Sequence, residues 1–327
     1  MLYNKAYHTQ DLSALSFLVT GGGGFIGSNL VEYLLNHGAK QVRVLDNFSN
    51  GYRENLTAFV KHPNFDLLEG DIRDLETCKQ AMEGIDYVSH QAALGSVPRS
   101  INDPATTNAV NISGFLNMLI ALKDSATVKR MVYAASSSTY GDSKSLPKVE
   151  GTIGKPLSPY AVTKYVNELY AEVFGTTYQT DCIGLRYFNV FGPKQSPKGA
   201  YAAVIPLFMQ ALKAQESPTI HGDGEQTRDF TFVANAVQAN VKAFFASEEA
   251  ANEVYNVACG ERISVNYLWN SLQVAADSNL SAIHGPSRQG DVRDSLADIS
   301  KAKRLLGYTP EFSVKDGLQI TWDAFQR

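Results

Sequence analysis

Short apolar runs alternate with longer segments of helical periodicity between Phe17 and Asn189. Six of the runs have the composition of strands, being rich in β-branched, aromatic and other apolar side chains: F-L-V-T, V-R-V-L-D, F-D-L-L-E, D-Y-V-S-H-Q, R-M-V-Y-A-A and C-I-G-L-R-Y-F. Several segments between them place apolar residues three and four positions apart, as amphipathic helices do. This alternation predicts a parallel sheet with helices on both faces.

The alternation ends after Asn189. Residues 192–199 are rich in Gly, Pro and Lys, which is typical of a loop. The run A-A-V-I-P-L-F-M-Q-A-L then predicts a helix, followed by short strands and loops. We therefore expect a second domain to begin here.

Composition excludes several functional classes. The 29 Lys and Arg nearly balance the 33 Asp and Glu, and no basic run could follow a phosphate backbone, so nucleic-acid binding is not expected. Cys78, Cys182 and Cys259 lie too far apart for a metal or redox motif, which indicates thiols in a reducing compartment and no metal site. No leader-like segment and no apolar span of bilayer length is evident, so the sequence predicts a soluble, cytoplasmic protein without a membrane partner.

The motif T-G-G-G-G-F-I-G-S-N-L follows the first predicted strand and opens a helix. Glycines at Gly21, Gly24 and Gly27 would let the backbone approach a pyrophosphate at the helix N-terminus. Asp46 closes the second strand about twenty residues on, placed to accept hydrogen bonds from both ribose hydroxyls. Glycines alone would also fit a plain loop, but the strand–turn–helix context and Asp46 together predict a dinucleotide site. The acid at Asp46 would repel a 2'-phosphate, which favours NAD over NADP.

These features predict an α/β fold: a Rossmann-type doubly wound parallel sheet with a smaller α+β substrate-binding domain. We assign residues 1–189 and 231–259 to the dinucleotide-binding domain and residues 190–230 and 260–327 to the second. A chain of 327 residues exceeds the size at which a single core keeps growing, which agrees with two domains.

A run of hydroxyl side chains, S-S-S-T-Y, begins at Ser136, where the fifth predicted strand ends. Hydroxyls cannot move protons unaided near neutral pH, so the run either has a partner with a shifted pKa or is merely a polar loop. The segment S-P-Y-A-V-T-K offers that partner, because Tyr160 and Lys164 lie four apart on one face of a helix that Ser158 and Pro159 can start.

A phenol has an ordinary pKa of about 10, which makes it a poor base at neutral pH. A neighbouring ammonium and the positive nicotinamide ring would both lower the pKa of Tyr160. The spacing of Tyr160 and Lys164 also occurs by chance on exposed helix faces. The glycine motif and the serine run that precede the pair favour the catalytic interpretation.

Motifs along nearly the whole chain resemble, in order, those of the extended short-chain dehydrogenase/reductase family: T-G-G-G-G-F-I-G, D-N-F-S-N-G, G-D-I-R-D, Q-A-A, N-I-S-G-F-L-N, S-S-S-T-Y-G, S-P-Y-A-V-T-K, R-Y-F-N-V-F-G-P, G-D-G-E-Q-T-R-D-F and R-Q-G-D-V-R. Within it, L-G-S-V-P-R-S and G-A-Y-A-A-V-I-P are most similar to the branch of UDP-hexose 4-epimerases that prefers N-acetylated sugars. Related dehydratases and decarboxylases carry Asp or Glu within the run that is S-S-S-T here. Without that acid, the resemblance implies reversible hydride transfer at one carbinol carbon.

The resemblance also implies roles for particular residues. The implied catalytic set is Ser136, which would hydrogen-bond the sugar 4-oxygen, Tyr160, which would take its proton, and Lys164, which would keep the phenolate charged. The implied cofactor contacts are Gly21, Gly24, Phe25, Ile26, Gly27, Asp46, Asn47, Ser49, Asn50, Gly51, Asp71, Ile72, Gln91, Ala92, Ala93, Asn111, Tyr160, Lys164 and Tyr187. The implied UDP-sugar contacts are Gly95, Ser96, Ser136, Ser137, Ser138, Tyr160, Asn189, Gln195, Ala203, Val204, Thr219, His221, Arg228, Arg288, Asp291 and Ser295.

Some of these residues also have simpler explanations. Asp71 could be the acid of a Gly-Asp turn, and Asn111 could be a helix residue satisfied by a backbone carbonyl. His221 could contact the uracil through backbone groups alone. Arg228 and Arg288 are stronger candidates, because guanidinium groups suit a diphosphate.

Two further residues bear on specificity and on the core. Ser295 matches the position that flanks the sugar's 2-substituent, which is commonly tyrosine in epimerases restricted to glucose and galactose. A serine would leave room for an N-acetyl group, although it could also be an ordinary small residue in a surface loop. His90, at the end of an apolar strand, is interpreted as a core histidine.

The predicted function is NAD-dependent, reversible C4 epimerisation of UDP-GlcNAc to UDP-GalNAc through a transient 4-keto intermediate. The nearest alternatives are epimerisation of the corresponding uronic acid or of UDP-glucose. An alternative from another class is a dinucleotide-binding sensor without turnover, which would be expected to have lost Tyr160 or Lys164. The resemblance implies a homodimer formed through the two long helices that contain Asn111 and Tyr160.

Overall fold

The computed structural model describes residues 2–197, 203–286 and 293–326. The strands are β1 Ser16–Thr20, β2 Gln41–Asp46, β3 Phe65–Glu69, β4 Tyr87–His90, β5 Arg130–Ser136, β6 Cys182–Tyr187, β7 Val190–Phe191, β8 Thr219–His221, β9 Thr227–Arg228, β10 Thr231–Phe232, β11 Glu253–Val257, β12 Ile263–Ser264 and β13 Ile283–Gly285. The helices are α1 Phe25–Asn36, α2 Leu75–Met82, α3 Val97–Asn102, α4 Pro104–Asn108, α5 Phe115–Asp124, α6 Pro159–Tyr178, α7 Val204–Ala214, α8 Val233–Phe244, α9 Val265–Ala275, α10 Ser300–Leu306 and α11 Val314–Phe325.

A seven-stranded sheet in the order β3-β2-β1-β4-β5-β6-β11 forms the centre of the fold. Every neighbouring pair in it is parallel, so the predicted α/β class is confirmed. All six strands predicted from the sequence lie in this sheet, and β11 completes it beside β6. The strand order reverses between β1 and β4, which opens a crevice at the carboxyl ends of the strands.

Both faces of the sheet are buried under helices. In β1, Phe17 and Val19 belong to a core cluster that includes α1 and α8, whereas Leu18 belongs to a second cluster that includes α2 and α5. Successive strand residues point to opposite faces, so a strand covered on both sides must be apolar at consecutive positions. This explains why the strands appear in the sequence as continuous apolar runs.

The smaller elements cluster after β6. Three two-stranded sheets pair β7 with β10, β8 with β13 and β9 with β12. The helix predicted after the Gly/Pro/Lys loop is confirmed as α7. All seven strands of the large sheet fall inside the segments assigned to the dinucleotide-binding domain, while the proposed domain boundaries stay a prediction.

One helical stretch qualifies the expectation that no segment could span a bilayer. Among the described residues, the 21-residue stretch Pro104–Asp124 contains an 18-residue window with a mean hydropathy of 1.2, which meets the length and composition of a spanning helix. Its C-terminal part, α5, packs against α2 and α6 and buries Phe115, Met118 and Leu119 in the core. A core helix of a folded domain has the same composition, so the stretch is weak evidence for a membrane span.

Candidate active site

A cavity of about 500 Å³ lies along the carboxyl ends of β1, β2, β4 and β5. We call it the first cavity. The predicted cofactor residues that line it are Gly21, Gly24, Phe25, Ile26, Gly27, Asp46, Asn47, Ser49, Asn50, Gly51, Asp71, Ile72, Gln91, Ala92, Ala93, Tyr160, Lys164 and Tyr187. Residues assigned from separate motifs thus meet at one surface, because parallel strands end at the same edge of a sheet.

The glycine loop connects β1 to α1 by close backbone packing. Gly21 has φ +68°, a left-handed conformation that favours glycine, and a Cβ there would lie 2.7 Å from the backbone nitrogen of Ala92. A Cβ at Gly27 would lie 2.3 Å from the carbonyl oxygen of Gly21. Gly24 precedes the first residue of α1, so the positive end of the helix dipole faces the first cavity. The loop therefore has the form of a pyrophosphate cradle.

Asp46 is the acid that the sequence places at the ribose. Its Oδ2 accepts a hydrogen bond from the Gly23 backbone N–H at 2.8 Å, and its Oδ1 accepts from the Phe48 N–H at 2.8 Å. Burial raises the pKa of Asp46, while these backbone hydrogen bonds act in the opposite direction. Each carboxylate oxygen can accept a second bond, so the orientation suits the two ribose hydroxyls of NAD.

Asp71 and Asn111 show how a single residue can fit two interpretations. Asp71 lines the first cavity and also receives the Arg73 guanidinium, which lowers the pKa of its carboxyl to about 2. Asn111 does not line the cavity: its Oδ1 accepts from the Leu94 N–H at 2.8 Å, and its Nδ2 donates to the Leu94 carbonyl and to Thr163 Oγ1. Asn111 thus fixes the loop after β4 through the backbone, as its simpler interpretation holds.

Several residues that line the first cavity were not predicted from the sequence motifs. They are Leu45, Gly70, Leu94, Val110, Ala134, Ala135 and Val190. Most of them lie near the C-terminal ends of predicted strands, so strand-end position was the signal that could have identified them.

The serine run begins where β5 ends. Ser136 Oγ accepts hydrogen bonds from the backbone N–H of Ser138 at 3.2 Å and from the Ser138 hydroxyl at 2.9 Å. Because a hydroxyl has one proton, these two accepted bonds leave the Ser136 proton to be donated elsewhere. Ser137 lines the first cavity beside Ser136. Ser138 lines neither described cavity, and its contribution is the two hydrogen bonds that it donates to Ser136 Oγ.

The predicted Tyr-Lys pair lies on the first two turns of α6. Ser158 caps this helix by accepting from the Ala161 N–H at 3.1 Å, and Pro159 occupies the first helical position, as predicted. Lys164 is buried, and its Nζ donates to the carbonyl oxygen of Ala134 at 2.7 Å, at the end of β5. The helix therefore holds Tyr160 and Lys164 against the strand that carries Ser136.

The pKa shifts at this pair differ from the sequence expectation. Burial raises the pKa of Tyr160, and it is a hydrogen bond with Ser136, not the Lys164 ammonium, that acts in the opposite direction. The ammonium lies 6.0 Å from the centroid of the Tyr160 ring. Burial lowers the pKa of Lys164 to about 8, so the group remains mostly charged at neutral pH.

His90 is a core histidine, as predicted. Its Nδ1 lies 2.8 Å from Thr20 Oγ1, and the side chain is buried against Phe115. Burial, together with the nearby Lys164 charge, lowers the pKa of His90 to about 3. The ring is therefore neutral at physiological pH and lines neither described cavity.

A second cavity of about 990 Å³ adjoins the first at Asn189 and Val190, which line both. We call it the second cavity. The predicted substrate residues that line it are Asn189, Gln195, Ala203, Val204, Thr219, His221 and Arg228. Asn189 has φ +36° and donates from Nδ2 to the Asp229 carbonyl at 2.9 Å, which holds the junction between the cavities in place.

The other predicted substrate residues are distributed differently. Gly95, Ser136 and Ser137 line the first cavity, whereas Ser96 and Ser295 line neither described cavity. The Ser96 hydroxyl instead accepts from the Arg99 N–H at the start of α3. Arg288 and Asp291 lie outside the described residues.

Two residues predicted to bind the substrate, Arg228 and His221, form hydrogen bonds within the protein. Arg228 Nη1 donates to the carbonyl oxygens of Thr227 at 2.8 Å and Arg293 at 3.2 Å, which orients the guanidinium at the wall of the second cavity. The His221 carbonyl accepts from the Gln226 side chain at 2.8 Å. The diphosphate role of Arg228 and the uracil role of His221 stay predictions.

The fold and the site together define a class of protein. A Rossmann-type sheet with a glycine loop after β1, a serine at the end of β5 and a Tyr-Lys pair on the following helix is the arrangement of the extended short-chain dehydrogenases/reductases. The family model described as GDP-mannose 4,6 dehydratase matches residues 18–321, and the chain belongs to this family.

Relatives of known structure or name are similar over their whole length. A protein of Methanocaldococcus jannaschii named putative UDP-glucose 4-epimerase is 35% identical over 309 residues, which cover 93% of this chain and 97% of that protein. The structure of a UDP-N-acetylglucosamine 4-epimerase from Methanobrevibacter ruminantium, in complex with UDP-N-acetylmuramic acid, is 37% identical with a TM-score of 0.90, over 95% of this chain and 98% of that chain.

A third relative bears on the cofactor. The structure of the Thermus thermophilus UDP-glucose 4-epimerase in complex with NAD is 33% identical with a TM-score of 0.85, over 95% of this chain and 99% of that chain. The prediction of NAD as the cofactor is confirmed at the level of the family. The glycine loop and Asp46 of this chain supply the donor and acceptor groups that such a cofactor requires.

Proposed function

We propose that this protein is an NAD-dependent UDP-sugar 4-epimerase that interconverts UDP-GlcNAc and UDP-GalNAc. The main support is that Ser136, Tyr160 and Lys164 line the same cavity, without a carboxylate beside the serine run among the described residues. Of the described residues that line the first cavity, the carboxylates are Asp46 and Asp71, at or just beyond the ends of β2 and β3, and none accompanies the serine run. Elimination of water from the sugar would require a further acid or base, so epimerisation is favoured over dehydration.

A carboxylate close to the pair does not alter this conclusion. Glu168 lies one turn after Lys164 on α6, but both of its oxygens are bonded to the Arg186 guanidinium, at 2.9 and 2.7 Å. Both partners are buried, and Glu168 lines neither described cavity. Glu168 therefore supports the fold beneath the site and is not placed to act on a sugar.

The residues then have separate roles in the proposed reaction. Tyr160, as a phenolate, takes the proton of the sugar 4-hydroxyl, while Ser136 donates its remaining proton to the same oxygen and Lys164 stabilises the negative charge. The glycine loop and Asp46 would hold NAD, which would supply the acceptor and donor for the C4 hydride. The transient 4-keto sugar would have to turn its other face toward the cofactor before the hydride returns, and this turn inverts the configuration at C4. Tyr160 then returns its proton to the 4-oxygen, so the reaction balances as an isomerisation.

The N-acetylated sugar is the finer part of the proposal. It is supported by the similarity to the relative described as a UDP-N-acetylglucosamine 4-epimerase and by the serine at Ser295. A uronic acid or plain UDP-glucose remains the alternative substrate.

Purified protein incubated with UDP-GlcNAc, without added cofactor, is expected to form UDP-GalNAc. The reaction regenerates its cofactor in every cycle, so release is unnecessary and NAD should co-purify with the protein. The products are separated by chromatography, and NAD is quantified in the supernatant after denaturation, with UDP-glucose and the uronic acid assayed in parallel. A supernatant with NADP or without NAD, or turnover confined to another sugar, contradicts the corresponding part of the proposal.

We propose that the protein is a homodimer formed through the helical stretch Pro104–Asp124, which contains Asn111, and through α6, which contains Tyr160. On α6, Val162, Leu169 and Val173 are spaced seven and four apart, on one face of the helix, and are 46%, 44% and 54% exposed. An apolar stripe of this kind on a packed pair of helices is typical of an association surface.

Leu169→Glu is expected to convert the dimer into a monomer, because the substitution would bury a charge in the interface. Light scattering coupled to size-exclusion chromatography measures the mass of both proteins. Val274→Glu on α9, at a residue that is 77% exposed, is the matched control and should leave the mass unchanged. A wild-type monomer, or a dimer that survives Leu169→Glu, would show that this surface is not the interface.

A further inference from the structure

The segment before β1 lies outside the region that the family model matches, yet it packs closely on the cofactor helix. Tyr3 and Tyr7 are buried, at 1% and 4% exposure. The Tyr7 ring stacks on Tyr33 of α1 at a centroid distance of 5.2 Å, and Tyr3 meets the same ring edge-on at 6.0 Å. Lys5 forms an ion pair with Glu311 at 2.7 Å. We call residues 2–11 the N-terminal arm.

The arm reaches Asn29 of α1 through one buried hydrogen bond. The Tyr3 hydroxyl donates to Asn29 Oδ1 at 2.8 Å. Asn29 Nδ2 donates to the Phe25 carbonyl at 2.9 Å and to the Pro193 carbonyl at 3.1 Å. A flipped amide would turn its oxygen toward those two carbonyls, so the carbonyls select the orientation in which the amide nitrogen holds Pro193. The Tyr3 hydroxyl then anchors the amide oxygen on the other side.

Pro193 belongs to the segment that follows β7 and leads toward the second cavity. Gln195 of this segment lines that cavity. The neighbouring residue, Lys194, has φ +71° and its Nζ bonds to Glu32 Oε2 at 2.7 Å and to the Ser28 carbonyl at 3.2 Å. Pro193 and Lys194 therefore attach this segment to α1.

We infer that the N-terminal arm positions the wall of the second cavity, with Tyr3 acting through Asn29 to fix the Pro193 carbonyl and hence Gln195. Tyr3 is a positioning residue, because it lines neither cavity and acts through Asn29. The inference rests on the proposed nucleotide-sugar substrate only in assigning the second cavity to the nucleotide. The N-terminal arm, which precedes the residues matched by the family model, would thus contribute to substrate affinity.

The test is Tyr3→Phe, which removes the hydroxyl and retains the buried ring. The loss of one buried hydrogen bond is expected to raise the Kd for UDP by ~2- to 10-fold. The KM for the nucleotide sugar should rise in parallel, with kcat and the NAD content nearly unchanged. UDP itself is the probe, titrated by calorimetry into the wild type and the variants.

Tyr7→Phe is the matched control, because it removes a hydroxyl from the same arm for which the described residues show no hydrogen bond. It should leave both the Kd for UDP and KM at wild-type values. A purely structural role for Tyr3 would lower the melting temperature without moving KM.

Asn29→Asp provides a second, independent variant, since it retains the acceptor for Tyr3 and replaces the donor to Pro193 with an acceptor. It should weaken UDP binding, and adding Tyr3→Phe to it should cause no further loss. Equal Kd values for the wild type and Tyr3→Phe overturn the inference alone. Failure of the wild type to bind UDP overturns both the inference and the proposed function.

Discussion

Tyr160→Phe is expected to lower kcat by ~10²- to 10⁴-fold while leaving NAD bound, since the variant loses the group proposed to accept the substrate proton. The phenylalanine ring keeps the shape of the side chain on the first turns of α6, and the glycine loop and Asp46 lie on other elements. The variant therefore separates proton transfer from cofactor binding. Single-turnover and steady-state rates with UDP-GlcNAc, together with the NAD content after denaturation, measure the two effects.

Ser136→Ala is the comparison for this variant. It removes one hydrogen-bond donor from the same 4-oxygen, and a single donor of this kind contributes on the order of 10²-fold. The serine variant should therefore retain more activity than Tyr160→Phe. Near-normal turnover by Tyr160→Phe would show that another group accepts the proton and that the assignment of Tyr160 is wrong.

The protein groups around Tyr160 do not by themselves lower the pKa of its phenol. Burial raises its pKa, and the hydrogen bond with Ser136 opposes this shift only in part, since the net shift is upward. The Lys164 ammonium is held by the Ala134 carbonyl at 2.7 Å, and burial lowers its pKa to about 8. The positive ring of the bound cofactor is the charge that would favour the phenolate, which ties proton transfer to an occupied cofactor site.

Local patterns predicted the parts of the fold that depend on few residues. The six strands in the core of the sheet are continuous apolar runs because helices cover both faces, and the glycine loop is specified by a positive φ and by close packing at Gly21 and Gly27. Likewise Ser158 and Pro159 determine the start of α6 by local capping. Such features can be predicted from sequence because the physical cause lies within a few residues of the effect.

Features that depend on distant partners could not be predicted in this way. The sequence cannot show that Asn111 binds the Leu94 backbone, that Ser138 donates to Ser136, or that Tyr3 reaches Asn29, because each bond is formed only after folding. The motif match placed Asn111 at the cofactor, whereas in the structure its side chain does not line the first cavity and bonds the backbone of Leu94. Polar residues with several possible partners are thus the least predictable part of the site.

Backbone hydrogen bonds fix the segment that contains Ser295, which limits how far the backbone can move to accommodate a larger side chain. The Ser295 N–H donates to the Thr227 carbonyl at 3.1 Å, one residue before Arg228 at the wall of the second cavity. Two residues on, the Ala297 N–H donates to the buried carboxylate of Asp229 at 3.2 Å. A backbone fixed at these points cannot easily move aside, so a substituted side chain must fill the space next to it.

The family resemblance places Ser295 beside the sugar's 2-substituent, although the serine itself lines neither described cavity. On that placement, Ser295→Tyr is expected to lower turnover of UDP-GlcNAc strongly while sparing UDP-glucose. A tyrosine ring would occupy the room that the N-acetyl group needs, and discrimination by clash does not require any contact to be lost with the smaller sugar. Overpacking typically costs about 1 to 3 kcal/mol, which corresponds to a loss of up to ~10²-fold in relative kcat/KM. Ser295→Ala, which removes the hydroxyl and fills no space, is the control and should leave both substrates near wild-type rates. Wild type and both variants are assayed with the two sugars side by side, and an equal effect of Ser295→Tyr on both would remove Ser295 as the residue that selects the N-acetylated sugar.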